Sequence, residues 1–215
     1  MKLGLQNRVT PFGDIIATPA RGTLTGNRGI IHDPDLRRLL PNRRWSTKAW
    51  IYCLCAFQNR KRDVFGYNGR NGGAGWTNLF FLDEATALAA GHRPCFYCQR
   101  TRANAFRDAW ISAFDHWPGV QSVDNRLHAE RLTSKQKRHH PLPKKLVDGM
   151  MVACEGQAFV FTQGVWLCWQ SNGYAATEGF DLKNATLLTP PSIARIIEAG
   201  FDPAIADTRV SGGVR

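Results

Sequence analysis

The feature that most constrains this chain is a short turn, Pro94-Cys95-Phe96-Tyr97-Cys98. A C-x2-C turn places two sulfurs on one side of a tight loop. The run that follows, 99–117, has helical spacing, with Ala103, Phe106, Trp110 and Phe114 on one face. Free N–H groups at a helix start stabilise thiolates, and zinc needs thiolates. Two buried cysteines side by side by chance, or a redox C-x-x-C pair, are the competing readings. The Gly-His-Arg-Pro turn just before and the basic surroundings favour metal. Cys95 and Cys98 are therefore expected to hold Zn²⁺.

The other cysteines are Cys53, Cys55, Cys154 and Cys168. The first residues, MKLGLQNRVTPFGD, lack the apolar core of a secretory signal. No apolar run approaches the ~20 residues that span a bilayer. A cytoplasmic protein with no membrane partner is expected, and a reducing compartment favours free thiols or metal over disulfides.

The chain of 215 residues carries a formal net charge of +11. The charge is clustered. Residues 21–70 hold eleven Lys/Arg against three acids, and 126–145 hold seven against one. Neither segment reads as a strongly amphipathic helix, so the expected polyanion is nucleic acid, DNA first, and not a membrane surface. Candidate contacts are Arg28, Arg43, Arg44, Trp45 and Lys48 in the first cluster, and Arg131, Lys135, Lys137 and Arg138 in the second. Trp45, between Arg44 and Ser46, is the tryptophan most expected at the surface.

Residues 1–30, rich in Gly, Pro and Thr, read as extended segments and turns. HDPDLRRLLPNRRW suggests a short helix ended by Pro41. AWIYCLCAF reads as a buried strand and DVFGY as its return. WTNLFFL is another strand, and Asp83 caps a helix that ends at Gly91. Residues 123–132 read as helix. GMMVACEG opens a C-terminal β part, QAFVFTQGVWLCWQ is a hairpin turning at Gln163-Gly164, and a last helix starts near Pro190 or Pro191. The expectation is an α+β fold: one domain, 1–215, of small antiparallel sheets and three to four helices around an embedded zinc module.

LFFLDEATALAAGHRPCFYCQR, residues 79–100, resembles the second half of the zinc-binding module of Ada-type DNA alkylation-repair proteins and of related modules beside some nucleases. The resemblance implies a four-ligand zinc within about 26–100 whose second ligand pair is Cys95 and Cys98. The first pair departs from the family, which has C-x3-C upstream. Cys53 and Cys55 are spaced C-x-C on an apparent strand, where alternate residues share a face. Both can point at one metal, or one can be core. GNRGIIHDPDL resembles the nuclease-linked variant, with His32 at the ligand position and Leu36 where the family has Cys. His32 and Cys53 thus stand as the further candidate ligands.

His128-Ala129-Glu130, with Pro94-Cys95 and Cys98, supplies the elements of the zinc deaminase signature in reversed order. A metal-dependent nuclease is disfavoured, because only Asp33-Pro34-Asp35 clusters acids. Base excision needs less: one carboxylate, an aromatic pocket and a basic track. Glu130 or Asp33 would be the carboxylate and Lys135 or Lys137 an amine nucleophile, with His128 as the deaminase-type alternative. The leading expectation is a zinc-containing DNA-processing enzyme of glycosylase type, in repair or defence. The alternatives are a zinc-dependent deaminase or nuclease, and a non-catalytic zinc-stabilised nucleic-acid-binding module.

Overall fold

A computed structural model describes residues 4–59, 61–132 and 140–207. Lys135, Lys137 and Arg138 lie outside the described residues. The fold is α+β. The Gly/Pro/Thr-rich start gives β1 (Gln6–Val9), β2 (Ile15–Ala17) and β3 (Leu24–Asn27). Then come β4 (His32–Asp33), β5 (Arg38–Leu39), β6 (Ile51–Leu54), β7 (Leu79–Phe81), α1 (Glu84–Ala89) and β8 (Arg93–Pro94). Two longer helices follow, α2 (Arg100–Phe114) and α3 (Val120–Leu132). The C-terminal part holds β9 (Met151–Cys154), β10 (Gln157–Thr162), β11 (Val165–Gln170), β12 (Gly173–Ala176), β13 (Thr186–Leu187) and α4 (Pro191–Glu198).

The first sheet runs β2-β1-β7-β3-β6-β8 and the second β12-β11-β10-β9-β13. The second is antiparallel throughout, with Gln163 and Gly164 both at positive φ in the expected β10–β11 turn. The first is mixed, because β1 pairs with β7 and β6 with β8 in parallel. The expectation of antiparallel sheets did not include these two pairings, whose partners lie far apart in the chain. One cluster of buried side chains takes in Val9, Phe81, Phe106, Val152 and Ile197, so both sheets and the helices share a core. Helix α4 presents Ile193, Ile196 and Ile197 to it, as an amphipathic helix must.

Asp83 does cap α1, accepting from the Thr86 N–H at 2.8 Å. Its other oxygen accepts from Tyr174 Oη at 2.8 Å and Ala206 N at 2.9 Å, so one cap also ties down β12 and the C-terminal segment. Two expected elements are different. HDPDLRRLL is a two-strand hairpin and not a helix, because Asp33 Oδ1 accepts from the Asp35 and Leu36 N–H groups and makes a turn. DVFGY is not a strand; Phe65 adopts φ 59°, which breaks extended backbone.

The two basic clusters divide between core and surface. Arg28 and Arg131 are 1% and 7% exposed, and both guanidiniums lie 3.9 Å from the Trp50 ring. Arg28 donates to Gly13 O and to His92 Nε2, and Arg131 to Gly91 O and Lys48 O. Their assignment as nucleic-acid contacts is corrected by this burial, since a phosphate cannot reach them. They are cation–π and hydrogen-bond staples between segments distant in sequence. Arg43, Arg44, Trp45 and Lys48 remain exposed, with Trp45 at 40% and its ring edge-on to His128.

Candidate metal centre

The β6–β8 pairing builds the site. Ile51 faces Arg93 and Tyr52 faces Pro94 in parallel register. Continuing that register by one residue sets Cys53 beside Cys95, and the Cys95 N–H donates to Tyr52 O at 3.0 Å. The chain then turns, with Gln99 N donating back to Cys95 O at 3.0 Å, so that Cys98 comes round to the same side just before α2. The Sγ atoms of Cys53, Cys95 and Cys98 all lie within 4.8 Å of one another. Tetrahedral zinc with Zn–S bonds of ~2.3 Å separates its sulfurs by roughly 3.8 Å, a spacing that lies inside this limit. Among the described residues this is the only such cluster of His, Cys, Asp and Glu.

The electrostatics suit a ligand set. The Cys95 thiol is pulled down to about 5, chiefly by the hydrogen bond from Cys53 and further by N–H groups including that of Tyr97, whose nitrogen is 3.4 Å from the sulfur. Cys53 is pushed up, because it donates that bond and is mostly buried. Cys98 is raised by burial. One sulfur is thus ready as a thiolate, and a divalent cation would take the others in that form.

The three sulfurs open onto a cavity of about 440 Å³. Side chains on one face of the first sheet floor it: Thr25 and Asn27 from β3, Cys53 from β6, and Asn78 and Phe80 from the approach to β7 and β7 itself. Trp76 forms a wall, with the Arg62 guanidinium 4.0 Å from its ring, and Tyr97 stands at the rim beside Phe57. No Asp or Glu lines the cavity among the described residues.

The other sequence-derived candidates fall elsewhere. His32 is buried away from the sulfurs, with Nδ1 bonded to Thr77 Oγ1 at 2.7 Å, Nε2 to Gly66 O at 3.3 Å, and its ring stacked on Phe65. Both ring nitrogens are engaged, and it is not among the clustered donors. Cys55 is exposed, with its sulfur 4.0 Å from Gly22 O, outside the cluster. His128 packs against Trp45 and bonds Arg131, so it does not join Cys95 and Cys98 in a deaminase-like set. Glu130 is not free for base chemistry: its carboxylate accepts from both the backbone N–H and the hydroxyl of Ser192, at the start of α4. Asp33 holds the β4–β5 turn.

Asn27 and Asn78 also line the cavity and were not singled out in the sequence. Their only local signal is a polar residue at the margin of an apolar strand.

Together these features define an α+β protein with a three-cysteine site able to hold a metal ion beside a small-molecule-sized cavity. No helix among the described residues is long and apolar enough to cross a membrane. No family model matches the chain, and no curated protein or solved structure matches it either.

Proposed function

We propose that the protein is a zinc-dependent nucleic-acid-binding protein that receives a substrate group in the cavity beside Cys53, Cys95 and Cys98. The observation that carries this reading is the convergence of three sulfurs at a cavity wall. A structural zinc site is closed by four protein ligands, whereas a functional one keeps a position for a substrate or water. Only three protein donors converge here among the described residues, and the cavity lies at their side. A redox pair would need only Cys95 and Cys98; Cys53 is the third donor that favours a metal. When bound, zinc supplies Lewis acidity toward whatever enters.

The nucleic-acid half of the reading is supported by the net charge and by the exposed Arg43, Arg44, Trp45 and Lys48. Base excision through Glu130 or Asp33 is set aside, because both carboxylates hold turns and caps. On this reading any chemistry would lie instead at the cysteine cavity.

Zinc content of the purified chain, followed by binding and incision assays on single- and double-stranded DNA, tests this reading. One zinc per chain, lost together with the DNA response in Cys53→Ser, is expected. A metal-free chain, or DNA behaviour indifferent to Cys53→Ser, would overturn it.

A further inference from the structure

The cavity beside the three sulfurs has walls of mostly one character. Ile51, Leu54, Phe57, Val64, Trp76 and Phe80 all line it. Ile51 stands two residues before Cys53 on β6, so the two share a face of the sheet. Ile51, Trp76 and Phe80 are half-buried, which leaves apolar surface uncovered beside the sulfurs. Arg62 is the one charged residue of the lining among the described residues, and neither a carboxylate nor a histidine joins it.

Closed zinc sites built on three cysteines take their fourth donor from a further thiolate or from an imidazole nitrogen. Among the described residues the cluster contains neither. Charge separates these two donors. Zn²⁺ with three thiolates is a monoanion. A fourth thiolate would make it a dianion, and burying that against apolar walls is costly. An uncharged ring nitrogen adds no charge. We propose that the cavity takes a flat, uncharged nitrogen heterocycle of imidazole type, whose ring nitrogen completes the ligand set of Cys53, Cys95 and Cys98. Trp76 and Phe80 supply aromatic surface for the ring. Arg62, 4.0 Å from the Trp76 ring, supplies one positive charge, enough to offset the monoanion and not a dianion. Water is neutral as well, but it fills none of the apolar volume. That volume, about 440 Å³, falls within the ~300–1,000 Å³ typical of small-ligand pockets.

This assignment rests on the proposed metal at the three sulfurs and names what enters beside it. The test loads the full chain with Co²⁺ in place of Zn²⁺, because the visible absorption of Co²⁺ reports its donor atoms. The loaded chain is titrated near neutral pH with N-methylimidazole, benzenethiol and acetate. Adenosine and N-acetylhistidine amide are titrated alongside, since a purine and a histidine side chain are the two common sources of such a ring. The expected result is a saturable spectral change at one N-methylimidazole per metal, with an affinity about tenfold or more above that of benzenethiol or acetate. A matching change with adenosine or with the histidine amide identifies the source, and a response to N-methylimidazole alone identifies a free small azole. Trp76→Ala and Phe57→Ala should each weaken the azole by about threefold to tenfold while keeping metal content and sulfur-to-metal absorption. A preference for benzenethiol or acetate, or no spectral response to the azole, would overturn the assignment and leave the metal reading standing. So would unchanged azole affinity in whichever of the two variants folds. A changed ligand-free spectrum in Cys55→Ser would overturn it too, because that sulfur, also on the cavity wall, would already fill the fourth position. A chain that takes up neither Co²⁺ nor Zn²⁺ would overturn both readings together.

Discussion

The backbone N–H of Cys95 donates to the carbonyl of Tyr52 at 3.0 Å, and this bond brings the cysteine after Tyr52 alongside the cysteine after Pro94. Two strands, one from each side of the long 55–78 connection, thereby meet with sulfurs on the same face. The Sγ cluster of Cys53, Cys95 and Cys98 is a product of strand register as much as of the C-x2-C turn.

Single replacements of Cys53, Cys95 or Cys98 by serine should each remove stoichiometric zinc, measured by atomic absorption. Cys55→Ser, His32→Asn and His128→Asn should retain it, because those side chains stand outside the cluster. Chelation should also lower the melting temperature, since a zinc held by the three sulfurs would bridge β6, the end of β8 and the start of α2. With free zinc at ~100 times its Kd, linkage gives about 2.7 kcal/mol, which for a chain of this size is roughly 5–10 °C. Loss of zinc from His32→Asn with retention in Cys53→Ser would refute this ligand set.

The two cysteines of the C-x2-C turn were legible because their spacing is local. Cys53 was legible only as one of several partners. Choosing it over His32 depends on a parallel pairing between strands some forty residues apart, and parallel strands leave no turn signature in the sequence. The same limit explains Glu130. His128-Ala129-Glu130 has the residue types of a catalytic motif, yet a helix that begins sixty residues later takes up the carboxylate. Asp83 was read correctly because a cap acts within three residues of itself. Arg28 and Arg131 show the converse error. Charge composition marks them as surface, and only the fold reveals that Trp50 lies between the segments they join.

Glu130 should behave as a cap. Helix α4 starts at Pro190-Pro191 with no side-chain cap of its own, and the Glu130 carboxylate, reaching across from α3, accepts from Ser192 N. Glu130→Ala should lower stability by about 1–2 kcal/mol in urea unfolding, the usual range for a lost N-cap. Zinc content should not change. A folded, equally stable Glu130→Ala that lost a DNA activity would return this residue to the chemistry.

Acid sensitivity should report on His92. Its imidazole is fully buried, and burial, reinforced by Arg28 and Arg131, holds it well below its ordinary value. Nε2 accepts from Arg28 Nε at 3.3 Å, and Trp50 and Phe81 pack around the ring. The unfolded chain takes up this proton near pH ~6.5 while the folded chain resists it. The stabilisation is therefore full above about pH 6.5 and is lost as pH falls toward the folded value, with a slope of up to about 1.4 kcal/mol per pH unit. His128 is shifted in the same direction, by burial and by Arg131 and Lys48, so the slope at pH ~5–6 has two contributors. His92→Gln keeps an acceptor for Arg28 and removes one of them. Its stability should fall less steeply between about pH 6.5 and 5 than that of the wild type, and parallel acid limbs would show that His92 is not the group responsible.

Nucleic-acid binding should depend on the exposed part of the first basic cluster and not on its buried part. Arg43, Arg44 and Lys48 flank Trp45 at the surface, whereas Arg28 sits under Trp50. Replacing the three exposed cations by alanine should weaken binding to a single-stranded oligonucleotide. It should also flatten the plot of log affinity against log salt by about 0.7 for each phosphate that is no longer neutralised. Trp45→Ala should weaken binding with the salt slope intact, because stacking releases no counterions. Arg28→Leu should act differently, lowering the melting temperature by removing the bonds to Gly13 and His92. If the triple alanine variant kept the wild-type salt slope, the phosphates would have to be held elsewhere on the chain, and the 126–145 basic segment would be the next to test.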